Sequence, residues 1–170
     1  MVGEERVVDN GTHAGDRVGR QEVPGWIAEA QSLRLSRPRG ILFLCVANSA
    51  RSQIAEGIAR ALAQADVTVW SAGSQPTRVR PEAIAVLAEI GIDISRHHSK
   101  AVAEIPADQV DTVITLCGEE ECPVFLGRAH RLHWGLPDPA AVIGTAEDRL
   151  DAFRQTRDEL IRRLRLVFDG

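Results

Sequence analysis

Long apolar runs are missing from this chain: no stretch approaches the roughly 20 consecutive apolar residues that span a bilayer. The opening residues, Met1 to Arg6, are polar and charged and lack the apolar core of a secretory signal. A cytoplasmic location with no membrane partner is the expectation. Positive charge is not in excess either. The 20 Lys and Arg face 24 Asp and Glu, a formal net charge of −4, so a nucleic-acid-binding surface has no bulk electrostatic support. Cysteine is scarce, and the 3 present are too few and too oddly placed for a disulfide scaffold. Cys117 and Cys122 have no second His or Cys pair near them at zinc-finger spacing, His130 and His133 coming closest, so no metal site is expected. Thiols in a reducing compartment are then buried or reactive.

What is present is ordinary globular composition, 44% hydrophobic and 26% charged over 170 residues, enough for one domain with a proper core. Residues 1–39 stand apart, with Gly3, Gly11, Gly15, Gly19 and Gly25, many charges and little apolar periodicity. They are expected to form a flexible N-terminal extension, with a short helix from Pro24 to Leu35. The compact domain is expected over residues 40–170. Ile41 to Leu44 is a continuous apolar run suited to a parallel strand covered on both faces. Ile54, Ile58, Ala61, Leu62 and Ala65 follow at helical spacing. Val67 to Trp70 reads as a second strand stopped by Ser71-Ala72-Gly73. Pro81 to Gly91 is a helix, Val110 to Leu116 a third strand and Ala129 to Trp134 a fourth. Thr145 to Asp148 has the form of a capping box that starts a final amphipathic helix. Strands alternating with helices indicate an α/β domain built as a three-layer sandwich.

The chemistry concentrates between the first strand and the first helix of that domain, in Cys45-Val46-Ala47-Asn48-Ser49-Ala50-Arg51-Ser52. In open α/β sheets ligands bind beyond the carboxyl ends of strands. Successive backbone N–H groups in such a turn, with a helix N-terminus behind them, favour a bound dianion and a thiolate held in the same cup. Arg51 can fork onto two oxygens of the anion. Ser52 can donate to the thiolate, and Asn48 can hold the loop's shape.

The run from Cys45 to Gly57, CVANSARSQIAEG, resembles the low-molecular-weight tyrosine phosphatase superfamily, especially its arsenate reductases. Val69–Gly73 (VWSAG), Gly91–Lys100 (GIDISRHHSK) and the stretch from Val113 through His133–Ala140 (HWGLPDPA) agree, so that the likeness covers roughly residues 40–168. The resemblance implies a four-stranded parallel sheet with helices on both faces, Cys45 as nucleophile, Arg51 as oxyanion clamp and Asp138 as general acid. Asp138 also makes sense by itself, because Pro137 and Pro139 stiffen its loop and an acid beside the bound anion can protonate a leaving oxygen.

A phosphatase needs one thiolate, whereas reducing arsenate takes two electrons from a further thiol. Cys117 and Cys122 supply candidates just after a strand, where similar reductases carry a pair that passes oxidation outward to thioredoxin. The spacing here is shorter than in well-known thioredoxin-coupled members. The chain has no tyrosine, and Ala140-Ala141 follow Asp138-Pro139 where tyrosine phosphatases place aromatic contacts, which favours a small inorganic substrate. The expected activity is reduction of arsenate to arsenite by a cysteine relay, serving arsenic detoxification. Phosphate or sulfate would mimic the substrate, no cofactor would be bound, and the reductant would be thioredoxin or another external thiol donor. Two alternatives stand beside it: a phosphatase acting on phosphotyrosine or a small phosphoester, and a non-enzymatic oxyanion or redox sensor using residues 1–39 as a partner-binding arm. Similar reductases can bind potassium beneath the loop through residues matching Asn48, Glu56 and Ser71 and an acid where Lys100 stands. Lys100 would repel that cation and could fill its space.

Overall fold

The computed structural model describes residues 22–169, so most of the expected extension lies outside the described residues. The strands are β1 (Gly40–Cys45), β2 (Thr68–Gly73), β3 (Thr112–Thr115) and β4 (His130–His133), and the α-helices are α1 (Gly25–Ser36), α2 (Arg51–Leu62), α3 (Pro81–Ala88) and α4 (Ala146–Phe168). All strand pairs are parallel, in the order β2-β1-β3-β4. β1 is central and wholly buried, which is why its apolar residues run without alternation.

Alternate residues of β1 feed two cores. Ile41 and Phe43 join the helical side, packing with Ile54 and Ile58 of α2, Leu87 of α3 and Phe153, Leu160 and Leu164 of α4. Leu42 and Leu44 face the other way onto Val113, Ile105, Val110 and Phe125. Helical cover on that second face is reduced to the 3-10 turns Val102–Glu104 and Ala107–Gln109. α1 belongs to the thicker layer. Its Ala30 and Leu33 are fully buried, Glu29 accepts a 3.1 Å hydrogen bond from the Trp134 indole, and Arg162 and Arg163 of α4 lie 5.1 Å from the Trp26 ring. Residues 25–36 are thereby part of the packed body, and the helix expected from Pro24 to Leu35 is present.

Thr145 accepts from the Asp148 amide at 3.1 Å while Asp148 accepts from the Thr145 amide at 2.8 Å, completing the box that opens α4. β2 runs further than its composition suggests. Ser71, Ala72 and Gly73 stay in the strand because β1 continues beside them, with Cys45 opposite Gly73. Long-range pairing overrides the weak strand propensity of Ser and Gly there. No helix among the described residues is long and apolar enough to cross a membrane.

Gly73 stands where the sheet touches the loop after β1. A Cβ built there would lie 2.3 Å from the Val46 carbonyl oxygen and 2.9 Å from the Asn48 nitrogen, both backbone atoms. Gly73→Ala should therefore destabilise the chain by about 1–3 kcal/mol, a fall in melting temperature of roughly 3–10 °C. A calorimetric scan of the variant checks this, and an unchanged melting temperature would show that the loop moves aside freely.

Candidate functional site

Sheet topology brings the site together. β1 ends at Cys45, and α2 starts at Arg51, so the intervening residues turn at the carboxyl end of the central strand. The carbonyls of Val46, Ala47 and Ser49 accept from the amides of Gln75, Thr77 and Arg80 at 2.9, 3.1 and 2.9 Å, and the Asn48 carbonyl accepts from the Ser99 hydroxyl at 2.7 Å. With those carbonyls tied outward, the N–H on the opposite edge of each planar peptide unit is left for the pocket side.

Asn48 is the hinge of this turn. It is fully buried and holds a left-handed φ of 47°, a conformation that Asn tolerates better than most residues. Its Oδ1 accepts from the Lys100 amide at 2.9 Å and from Gln53 Nε2 at 3.0 Å, and its Nδ2 donates to Ser52 Oγ at 2.8 Å. Because Ser52 Oγ already accepts that bond, its own hydrogen is free for the Cys45 Sγ, 2.8 Å away. Cys45 is a free, buried cysteine.

Arg51 is 5% exposed. Its Nη1 donates to the Leu136 carbonyl at 3.0 Å and to the Leu116 carbonyl at 3.4 Å, and its Nη2 pairs with the Glu120 carboxylate. Burial pushes the Glu120 carboxyl up, but the hydrogen bond and charge of Arg51 and the Gly118 amide outweigh it and hold that carboxyl below its ordinary range.

β3 lies beside β1 in parallel, with Leu44 opposite Thr115, and the Leu116 amide donates to the Leu44 carbonyl at 2.8 Å. Neighbouring strands are about 4.8 Å apart. Cys117, fully buried, thus emerges next to the end of β1. It is joined to Cys122 in a disulfide with 5.6 Å between Cα atoms. Gly118 to Pro123 is not helical, so the two thiols, which a helix would hold about 8–9 Å apart, come within bonding reach. Asp138 arrives on the loop after β4, capping the 3-10 turn Pro139–Ala141 by accepting from the Ala140 amide at 3.0 Å. Cys45, Val46, Ala47, Ser49, Ala50, Arg51, Glu120, Asp138 and Ala141 line one cavity of about 400 Å³. Asn48 and Ser52 stand behind that lining.

Beneath the loop lies a buried carboxylate, Glu56, 2% exposed. It accepts from Ser71 Oγ at 2.5 Å and pairs with Arg60 at 2.7 Å, and Lys100 Nζ stands 3.8 Å from its Oε2. The Lys100 ammonium also donates to the His98 carbonyl at 3.2 Å. Two cations already answer the one carboxylate, so these residues do not fit a further metal cation. Burial, outweighing the Glu56 charge, holds the His97 imidazole below its ordinary range. The neutral ring donates from Nδ1 to Gln53 Oε1 at 3.0 Å, since Gln53 Nε2 is itself the donor to Asn48.

Glu120, Gln53, Ser99 and the Leu136 carbonyl were not among the expected site residues. The acidic run Glu119 to Glu121 reads from sequence as mutual repulsion, and only the fold places one of its members on Arg51. Gln53 sits on α2 one residue past Ser52, and nothing in its spacing marks it.

Residues 40–169 match the family described as Low molecular weight phosphotyrosine protein phosphatase. The chain is 40% identical over 127 residues to an arsenate reductase of Halalkalibacterium halodurans, covering 74% of this chain and 91% of the relative. It is similar to the structure of an arsenate reductase in the phosphate binding state, with a TM-score of 0.65 and 35% identity over 77% of this chain and 97% of the other. It is also similar to a thioredoxin-dependent arsenate reductase of Corynebacterium glutamicum, with a TM-score of 0.52 and 28% identity over 82% of this chain and 70% of that one.

Asn48→Ala removes three buried hydrogen bonds and keeps an unfavourable φ, and should cost about 2–4 kcal/mol in urea unfolding. Asn48→Gly relieves the φ and should recover about 1 kcal/mol of that loss. Equal stability of the two variants would show that backbone strain plays no part. Exchanging sodium for potassium should leave the melting temperature unchanged, because Lys100 already supplies the local cation. A potassium-specific rise would overturn that assignment.

Proposed function

The chain belongs to the low molecular weight phosphotyrosine protein phosphatase family, and within it we propose that this protein reduces arsenate to arsenite with its own three cysteines, in the service of arsenic detoxification. The observation that carries the reading is the Cys117–Cys122 disulfide, whose ring contains Glu120, a lining residue of the cavity that holds Cys45 and Arg51. A phosphatase, resolved by water, has no use for that dithiol, and this disfavours the phosphotyrosine or phosphoester reading.

Arsenate enters the cup of amides with two oxygens on the Arg51 guanidinium. The Cys45 thiolate, steadied by the Ser52 hydroxyl, attacks arsenic, while Asp138 gives a proton to the departing oxygen, which leaves as water. The Cys117 thiolate then attacks Cys45 Sγ. The sulfur–arsenic bond breaks, its electron pair stays on arsenic, and arsenite leaves as a Cys45–Cys117 disulfide forms. Cys122 attacks Cys117 Sγ and frees the Cys45 thiolate, giving the Cys117–Cys122 disulfide. An external dithiol, thioredoxin or a donor like it, returns two electrons and two protons. No bound cofactor takes part in this cycle, which runs in a reducing, cytoplasmic setting, and phosphate and sulfate act as substrate mimics.

The decisive experiment is a single turnover followed by peptide mapping. Cys45→Ser should release no arsenite. Cys122→Ser should release one equivalent and trap a Cys45–Cys117 disulfide, and Cys117→Ser should stall before that bond. Repeated turnover by Cys122→Ser with the same donor would rule out the relay.

A further inference from the structure

Arg51 meets a carboxylate of its own chain in the place where the oxyanion should sit. Glu120 lines the same cavity as Cys45 and Arg51, and its side chain pairs with Arg51 Nη2. Nη1 is spent on the Leu136 and Leu116 carbonyls, so Glu120 takes the terminal nitrogen left for an anion. The carboxylate is fixed from both ends, because the Gly118 amide donates to its Oε2 at 3.0 Å. Its place in the chain is just as telling. Glu120 sits inside the short ring closed by the Cys117–Cys122 disulfide, whose Cα atoms are 5.6 Å apart.

We propose that Glu120 is a redox-gated plug: the Cys117–Cys122 disulfide holds its carboxylate on Arg51 and keeps oxyanions out of the Cys45 cup until the disulfide is reduced. The idea rests on the assignment of Cys45–Ser52 as the oxyanion site. Its chemical sense follows from the relay. An oxidised chain that captured arsenate could form a Cys45 adduct but would have no Cys117 thiolate to resolve it. When a dithiol donates two electrons and two protons to the Sγ–Sγ bond and leaves as its own disulfide, Cys117 and Cys122 become separate thiols. The tether that concentrates Glu120 against Arg51 is then gone. Gly118, free to change backbone conformation, and Pro123, which closes the segment, leave the freed loop able to swing the carboxylate away.

Competition between an intramolecular carboxylate and an external anion is reciprocal. Disulfide formation should weaken anion binding, and a bound anion should stabilise the reduced chain, raising the disulfide's reduction potential by about 30 mV for each tenfold difference in affinity.

The test measures inorganic phosphate binding by titration calorimetry on the full chain, in four preparations: oxidised and reduced wild type, and oxidised and reduced Glu120→Gln. Reduced wild type should bind phosphate about tenfold more tightly than oxidised wild type, the size of one charge-assisted hydrogen bond. Glu120→Gln should close that gap by tightening the oxidised form. Glu119→Gln, which removes the same charge one residue away, should leave the gap in place. Saturating phosphate should raise the disulfide midpoint potential of the wild type and not of Glu120→Gln. If reduced wild type binds phosphate but the two oxidised proteins bind it equally, the plug is refuted while the oxyanion site stands. If reduced wild type binds no phosphate at all, the oxyanion site falls and the plug with it.

Discussion

Arg51 carries a full positive charge into a place where only 5% of its surface meets water. A charge so placed must be answered by the protein or by a ligand, since removing one partner of a buried pair costs on the order of 3–5 kcal/mol. Much of the site follows from how it is answered. Two main-chain carbonyls, Leu116 and Leu136, take one nitrogen and pin the guanidinium plane between the ends of two strands. The remaining edge faces the cavity and there meets Glu120. On the proposed reading, an oxyanion arriving in the cup competes with Glu120 for that guanidinium, and the site is a balance between two anions more than an empty receptacle.

The same need governs the layer beneath. Both the side chain and the main-chain carbonyl of Asn48 link the pocket-side loop to the Gln53–His97 pair, and the side chain is held by partners from α2 and from the segment that ends at Lys100. Glu56 sits one step lower, and it is Lys100 and Arg60 together that make a buried carboxylate tolerable there. Lys100 neutralises that layer with a covalently attached cation. A tethered ammonium carries no loss of translational freedom, which is the physical basis for expecting no response to exchanging sodium for potassium.

How far the sequence spoke differs by element. The Cys45–Ser52 turn was legible because a fully apolar strand, a Cys-to-Arg spacing and an amphipathic helix follow one another within a short stretch, and each is a local signal. The capping box at Thr145 was legible for the same reason. The far end of β2 was not, because Ser71 and Gly73 are held in the strand by β1, and pairing across the chain leaves no local trace. The docking of α1 was hidden similarly. Its apolar face is narrow, and its place on α4 depends on Trp26 lying against Arg162 and Arg163, residues more than a hundred positions away. Glu120 was the hardest. Three adjacent acids look alike in sequence, and what singles one out is the ring closed by Cys117 and Cys122.

Strand order also bears on the direction of the proposed relay. β1 and β3 are neighbours and β4 lies beyond β3, so the chain leaves the sheet in space as Cys45, then Cys117, then the loop to Asp138. Cys117 is fully buried beside the nucleophile, whereas Cys122, at the far end of its ring, is partly exposed. A bulky dithiol protein therefore reaches Cys122 more readily than it reaches either of the others. Thiol exchange proceeds by attack along a line of accessible sulfurs. In the proposed relay, oxidising equivalents enter at Cys45, step to Cys117 at the end of the adjacent strand, and leave through Cys122, the most exposed of the three. The irregular segment from Gly118 to Pro123 is what carries Cys122 from the buried strand end toward the surface.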